Sequence, residues 1–461
     1  MKGLMRKISL CLTVMFLSGA FCFAEYNPLG IPDSCIIRRS IVSSWLTAPF
    51  SDLQSRNREL HSDDVGTLFQ VRMEEGLDEF LVIVAPQTFN DVDIIDGEKR
   101  RTERLEEFRT GSPGSWVVYR DKQTEKALRI VWYFNADSGV YIQFRPAPNA
   151  TRCYADLIVF GSYAARSVPV GVAFDRLYTA SFADVYQWTR RTIPWEKVTV
   201  QEGQYRDSVQ VAETIKSRLG FIDYAENVSY NENGVLYNIE TGKPVDDDEL
   251  STASYTDRLT LSGAGFVKWV ADGFVYPLAG RGTAISDLVV PTVEYASLSK
   301  NGVISQERNL SFTLDWTRNL AAAVLSVRTK KDYTFKTGGT DVCIEPFAAD
   351  LVNGVLTQTS GYIPDTGYSA KKLKGILYVL ASTEPSYMYF AAVRQTSSIV
   401  PDEMVFNECA VIIPYFDDLG RFGCYVFEKG RQITLERFIA MYESSFIHLS
   451  RVKATENFFP Q

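Results

Sequence analysis

Short hydrophobic runs separated by polar residues recur over residues 25–200, which is the pattern of β-strands. These runs are rich in aromatic and β-branched residues and are separated by polar turns. The stretch from Asn135 to Gly139 is typical of a hairpin turn. We expect residues 25–200 to form one β-rich N-terminal domain, built as an antiparallel sheet, sandwich or small barrel. A helix capped by Ser181 is predicted to close this domain. Strands are predicted at 68–72, 80–85, 115–119, 128–134 and 140–144.

A different periodicity follows in residues 201–250. Apolar residues recur every fourth position between 207 and 220, which predicts an amphipathic helix capped by Asp207 and ended by Gly220. The polar stretch from 226 to 251 then reads as a solvated linker or hairpin edge. Within the N-terminal region, the charged run from 98 to 109 is expected to be a solvated helix or loop.

Residues 251–461 begin with a small-residue, apolar helix and continue mainly as apolar runs. The run from 316 to 327 fits either a buried helix or a strand, and the stretch from 433 to 442 has a helical pattern. The fold class predicted for the whole chain is therefore α+β, with the β-rich domain followed by a helix and an antiparallel sheet. The strands of this second sheet are predicted at 373–381, 387–393, 409–416, 422–427 and 446–452.

The start of the C-terminal helix carries a motif, Leu261-Ser-Gly-Ala-Gly-Phe-Val-Lys-Trp-Val270. It resembles the Asp-Cys-Ser-Gly-Phe-Val signature of the NlpC/P60 cell-wall peptidases, which belong to the papain-like superfamily. In that alignment the family's Asp and catalytic Cys fall on Ser262 and Gly263. The resemblance implies that residues 251–461 have a papain-like fold, with the helix packed on a sheet that contains residues 410–413.

The family's catalytic His opens a strand that reads roughly His-Val-Gly-Ile-Tyr. Its best counterpart here begins at Glu408, or at Asn407 if the register slips by one residue. A thiol at a helix start has a lowered pKa and gives its proton to an imidazole base. A carboxylate facing Gly263 does not replace that pair, so the resemblance implies that both catalytic residues have been replaced.

A relocated thiol is the alternative source of activity. Cys343 or Cys409 would have to pair with His448, since the remaining histidine, His61, lies far away in the N-terminal region. Against this, Cys409 and His448 sit in apolar runs, where a cysteine usually acts as a small buried hydrophobe and a lone histidine is usually structural. Ser262 likewise fits an ordinary helix N-cap.

The first 24 residues read as a secretory signal peptide. A basic start with Lys2, Arg6 and Lys7 precedes an apolar stretch too short to span a bilayer, with small residues before a cleavage site after Ala24. The alternative is lipid attachment at Cys22. No later stretch is apolar and long enough to span a bilayer, so we expect an exported protein, periplasmic or extracellular.

Charge and composition narrow the possible partners. Removal of three of the 48 basic residues and none of the 56 acidic residues with the signal peptide leaves a net charge of −11. This argues against nucleic acid as a partner. With two histidines and no Cys-x-x-Cys pair we expect neither a metal site nor a cofactor. The mature chain has an odd number of cysteines, so at least one is unpaired within the chain: Cys35, Cys153, Cys343, Cys409 and Cys424.

Three functions fit these observations. The first is a cell-envelope protein with a non-catalytic NlpC/P60-like domain that binds peptidoglycan or an envelope protein. The second is a cell-wall peptidase or amidase that uses a relocated thiol, and the third is a mainly β exported binding protein. On the first hypothesis a groove around the former catalytic positions binds the ligand, and its candidate residues are Ser262, Phe266, Trp269, Asn407, Glu408 and Tyr415.

Overall fold

The computed structural model describes residues 30–96, 99–148, 151–245, 258–293, 310–398 and 403–461. The predicted signal peptide, with Cys22, and the polar stretch at 246–257, with the predicted domain boundary, lie outside the described residues. The described chain is mixed helix and sheet with a β-rich N-terminal region, which confirms the coarse fold class. None of its described helices combines the length and the apolar character needed to cross a bilayer.

Ten of the described strands form an antiparallel sheet in the N-terminal region, in the order β1-β2-β3-β6-β7-β8-β9-β10-β16-β17. The hairpin predicted at Asn135 to Gly139 joins the strands at Ala127–Trp132 and Val140–Pro146. The ten strands are β1 (Glu59–Ser62), β2 (Leu68–Glu75), β3 (Glu79–Pro86), β6 (Trp116–Asp121), β7 (Ala127–Trp132), β8 (Val140–Pro146), β9 (Cys153–Val159), β10 (Ser162–Val170), β16 (Ala349–Val352) and β17 (Val355–Thr357).

Most of the charged run at 98–109 forms a strand, contrary to the helix or loop expected from its composition. Strand β5 (Lys99–Glu107) pairs with β4 (Thr88–Asp96) in a two-stranded antiparallel ribbon. Most described side chains between Arg100 and Glu106 are exposed. Because a ribbon outside the main sheet leaves both faces in water, charged residues occupy consecutive positions without the usual alternation.

Helices close the N-terminal region as the sequence predicts. Helix α3 (Phe182–Thr189) starts with a capping box in which the Ser181 hydroxyl accepts from the Asp184 amide at 3.1 Å. Helix α4 (Arg206–Arg218) confirms the predicted amphipathic helix, although Tyr205 occupies its N-cap. The remaining helices here are α1 (Cys35–Ser40), a π-helix (Val42–Leu46), α2 (Phe50–Gln54) and 3-10 turns at Phe174–Tyr178, Trp195–Lys197 and Leu219–Phe221.

Small strands connect the two halves of the chain. β11 (Ile222–Tyr224) pairs in parallel with β15 (Leu259–Leu261), which leads directly into the predicted helix. A separate antiparallel meander contains β12 (Val228–Tyr230), β13 (Leu236–Asn238) and β14 (Lys243–Pro244).

The C-terminal half forms a second antiparallel sheet in the order β18-β23-β19-β20-β21-β22. Its strands are β18 (Tyr368–Ser369), β19 (Tyr387–Thr396), β20 (Met404–Phe416), β21 (Phe422–Glu428), β22 (Arg431–Ile433) and β23 (Phe446–Lys453). The helices of this half are α5 (Gly263–Ala279), α6 (Ile285–Leu288), α7 (Phe312–Thr329), α8 (Phe335–Gly338), α9 (Leu373–Thr383), α10 (Leu435–Met441) and a 3-10 turn at Ala370–Lys372.

Two apolar runs of this half are resolved as helices. The run at 316–327, which allowed either assignment, belongs to α7. The run at 373–381, expected as a strand, is α9, and almost all of its residues are buried. A helix buried on every side has no polar face, so its sequence cannot be distinguished from that of a buried strand by periodicity.

The second sheet separates two hydrophobic cores. On one face Phe266, Val267 and Val270 of α5 pack with Val411 and Ile413 of β20, as expected for the motif helix. The other face shares a core with helix α9 and the N-terminal sheet. Because β16 and β17 also extend that N-terminal sheet, the two regions predicted as separate domains are joined by a common core.

Candidate functional site

Ser262 is the N-cap of helix α5. Its hydroxyl accepts from the Gly265 amide at 3.1 Å and donates to the Val228 carbonyl at 2.8 Å. The residue is 6% exposed. Ser262 therefore holds the helix start against β12, and its hydroxyl is engaged on both sides.

Gly263 and Glu408 face each other at the start of the helix. A Cβ built on Gly263 would lie 4.0 Å from Glu408 Oε2 and 3.6 Å from Lys429 Cγ. Asn407 is the extra residue of a bulge between β19 and β20, and its exposed amide oxygen accepts from Gln395 at 2.9 Å. Glu408, and not Asn407, therefore occupies the position opposite the helix start.

Glu408 forms an ion pair opposite the helix start. Lys429 Nζ donates to Glu408 Oε1 at 2.6 Å. Burial alone would lower the pKa of Lys429, but the hydrogen bond to Glu408 raises it overall, so the ammonium stays charged. Burial raises the pKa of the neighbouring Glu428, which accepts a hydrogen bond from Tyr442. We call Gly263, Glu408, Glu428, Lys429 and Tyr442 the dyad-position site.

The six residues predicted to line a groove do not converge. Ser262 and Glu408 lie near the helix start, whereas Phe266 is fully buried in the core. Tyr415 stacks on Tyr425 with ring centroids 5.0 Å apart. It lies seven residues from Glu408 along one strand, roughly 23 Å away. The predicted aromatic residues Phe266 and Tyr415 thus do not lie at the dyad-position site.

The described cysteines form no disulfide. Cys409 is 1% exposed, and burial, with added repulsion from Glu408 and Glu428, raises the pKa of its thiol. Burial also raises the pKa of Cys424. A raised pKa disfavours the thiolate at both Cys409 and Cys424. Of the two relocated candidates, Cys343 and Cys409, the exposed Cys343 is therefore the stronger.

A network centred on the buried Arg318 lies between α7 and strand β23 of the second sheet. Arg318 is 1% exposed and donates to Asp341 at 2.6 Å, to Asp365 at 2.8 Å and to the Thr292 hydroxyl at 3.2 Å. Its guanidinium also lies 4.5 Å from the ring centroid of Phe335. One cation thus binds groups from four separate segments of the chain, and the sequence offers no spacing that predicts it.

His448 belongs to the same network and is fully buried. Its Nε2 lies 3.3 Å from Asp341 Oδ2 and 3.4 Å from Arg318 Nη2, and its Nδ1 has no hydrogen-bond partner among the described residues. The Cys343 thiol is close enough to influence the pKa of Tyr362, whose ring centroid is 6.5 Å from that of His448. Within the described chain no hydrogen bond joins His448 to a thiol, so the structure does not assemble a relocated catalytic pair.

The burial of His448 predicts a pH dependence of stability. Burial lowers the pKa of His448 from its ordinary 6.5, despite the opposing effect of Asp341. Below about pH 6.5 the unfolded chain therefore binds a proton that the folded chain excludes, and stability should fall as pH falls through this window. We expect urea midpoints measured at pH 7.5 and 5.5 to differ more for the wild type than for His448→Gln. Equal differences would contradict this assignment.

A cavity of about 250 Å³ lies on another side of helix α5, against β12. Trp269, predicted to bind ligand, lines it, together with Lys268, Asp272 and Tyr276 of the same helix and Tyr230 of β12. Lys268, Asp272, Tyr276 and Tyr230 are not among the residues predicted from the sequence. Their signal was the spacing of Lys268, Asp272 and Tyr276, which recur every fourth residue on an otherwise apolar helix and so share one face.

The fold and these sites define a protein of mixed helix and antiparallel sheet, in which Gly263 at the start of helix α5 supplies no nucleophile. In the parts of the chain that the structure describes, no group of three or more His, Cys, Asp and Glu side chains is arranged to hold a metal ion. Residues 27–197 match the model of a family described as a domain of unknown function, DUF8515, which covers nearly all of the β-rich region. No curated protein and no solved structure matches the chain.

Proposed function

We propose that residues 258–461 form a papain-like domain similar to NlpC/P60 peptidases that has lost its catalytic pair, and that the protein binds or scaffolds at the cell wall after export. The observation that carries the proposal is the approach of Gly263 to Glu408 across the start of α5. The basic and apolar start of the sequence supports export. Export is checked by sequencing the N-terminus of the protein recovered outside the cytoplasm.

The chemistry of the dyad-position site supports a non-catalytic role. Gly263 supplies no nucleophile, and the Glu408 carboxylate is held by Lys429 at 2.6 Å. Peptide hydrolysis by this class of enzyme needs a thiolate and an imidazole that moves protons near neutral pH. Neither group is present at this position, although the amide groups at the helix start remain.

The facing geometry is tested by restoring the thiol. In a Cys343→Ser background, which removes the exposed thiol, Gly263→Cys should place a thiol beside Glu408 in ordinary van der Waals contact. Adding Glu408→His replaces a carboxylate by a base that forms an ion pair with a thiolate, so the thiol pKa should fall by about 1 unit or more. The measurement is the pH dependence of alkylation by iodoacetamide. Equal thiol pKa values in the two variants would show that positions 263 and 408 do not interact.

Activity of the unmodified protein separates this proposal from the relocated-thiol alternative. The wild type and Cys343→Ser should both leave peptidoglycan stem peptides uncleaved, measured by mass spectrometry of the digested fragments. Turnover by the wild type that Cys343→Ser or Cys409→Ser abolishes would establish the alternative, an active peptidase or amidase. The observation that favours it is that Cys343 and His448 both lie near Tyr362.

A further inference from the structure

The cavity beside helix α5 has a polar base and aromatic walls. Lys268 and Asp272 lie one helical turn apart and are joined by a 2.5 Å contact from Nζ to Oδ2. Tyr276 continues the same helix face, while Tyr230 and Trp269 complete the aromatic part of the lining. The cavity is distinct from the dyad-position site, whose residues do not line it.

Lys268 provides unused hydrogen-bonding capacity in this cavity. The residue is 1% exposed, and among the described residues Asp272 is the one acceptor bonded to its ammonium. An ammonium carries three donors. Asp272 is better satisfied, because its other oxygen accepts from the amide and the hydroxyl of Thr283 at 2.8 and 2.9 Å. A buried cation with remaining donors favours a ligand that brings oxygen acceptors.

The aromatic walls favour a ligand with a flat apolar face. Trp269 is held in place by a 2.7 Å hydrogen bond from its indole nitrogen to the Gln461 carbonyl. Tyr276 is 37% exposed at the rim. Aromatic side chains of this kind bury apolar faces while their polar ends remain hydrogen-bonded. A pyranose ring combines the two requirements, since it presents C–H groups on its faces and oxygens around its edge.

The charges of the lining argue against an anionic ligand. Lys268 and Asp272 compensate each other at 2.5 Å and Glu232 adds a negative charge, so the cavity carries no net positive charge for an anion to neutralise. We propose that this cavity binds one unit of a neutral saccharide, with its oxygens on Lys268 and a ring face on Trp269 or Tyr276. The proposal specifies the ligand of the cell-wall binding role and therefore rests on it, but it does not depend on the papain-like assignment.

The test is calorimetric titration of the full mature chain with a β-1,4-linked trimer of N-acetylglucosamine, and separately with a blocked alanine tripeptide. We expect the saccharide to bind and the tripeptide not to bind. Lys268→Met, which keeps the apolar volume but removes the donors, and Tyr276→Ala should each weaken saccharide binding about tenfold or more, or about 1.4 kcal/mol. Leu278→Ala is the matched control, because Leu278 is exposed on the same helix and does not line the cavity.

The outcomes separate this proposal from the proposed function. Binding of the tripeptide alone, absence of any saccharide binding, or saccharide affinity unchanged in folded Tyr276→Ala would each overturn the cavity proposal. Thermal melting establishes folding of each variant, and Tyr276→Ala decides the question if Lys268→Met does not fold. Saccharide binding that survives Glu408→Ala assigns the ligand to the cavity. A negative result for the cavity does not change the interpretation of the thiol experiment at positions 263 and 408.

Discussion

Arg318→Ala is expected to lower the free energy of unfolding by about 3–5 kcal/mol, because it removes a buried guanidinium and leaves the Asp341 carboxylate, which is 18% exposed, without its main cationic partner. Asp341 and Asp365 both receive hydrogen bonds from Arg318, at 2.6 and 2.8 Å. Burial would by itself raise the pKa of Asp341, but His448 and Arg318 lower it overall, which shows how strongly that carboxylate depends on the network. Removing the guanidinium also deletes its contact with Phe335.

Urea denaturation followed by circular dichroism measures this loss. Arg421→Ala is the matched control, since Arg421 pairs with Asp417 at 2.7 Å on the surface, with 63% of its side chain exposed. A surface pair of this kind contributes at most about 1 kcal/mol. Similar losses in the two variants would mean that the Arg318 network contributes no more than a surface ion pair.

Local signals in the sequence predicted the elements that are stabilised by interactions between residues close together in the chain. The Ser181 cap, the hairpin at 135–139 and the apolar stripe after Gly263 all act over less than two helical turns or across one turn. Each therefore gives the same signal in the isolated sequence as in the folded chain. The structure places helices or a hairpin at all three.

Elements whose environment is set by distant segments were harder to predict. Helix α9 is apolar on all sides because it lies in the core shared by the two sheets, and that environment does not show in its own sequence. Strand β5 shows the opposite case, since seven of its nine residues are charged and it still pairs with β4. In both cases the partner surface, more than intrinsic propensity, decides the structure.

The candidate sites show the same distinction. The resemblance to the NlpC/P60 signature predicts Gly263 opposite Glu408, and the structure brings these residues together although they are far apart in the chain. Tyr415 was assigned to the same groove because it follows Glu408 closely in sequence. Because an extended strand advances by roughly 3.3 Å per residue, Tyr415 lies far from the helix start despite its proximity to Glu408 in sequence. The arginine network had no sequence signal because its groups come from separate segments.

The two glycines at the start of α5 should respond differently to the same substitution. A Cβ on Gly265 would lie 2.4 Å from the Val228 carbonyl oxygen and 3.3 Å from the Ser229 Cα. Because both neighbours are backbone atoms, Gly265→Ala requires helix α5 to move away from β12. We expect a loss of about 1–3 kcal/mol, the range of overpacking in a dense core.

Gly263→Ala is the matched control, two residues away on the same helix. Its Cβ would make ordinary contacts, 3.6 Å to Lys429 Cγ and 4.0 Å to Glu408 Oε2. Alanine has less backbone entropy than glycine in the unfolded chain. The stability of this variant should therefore equal that of the wild type or exceed it by about 0.4–1 kcal/mol. Thermal melting of the two variants measures the difference. A strong destabilisation by Gly263→Ala would show that glycine is required there by the fold, and would remove the argument that position 263 retains the space of a lost side chain.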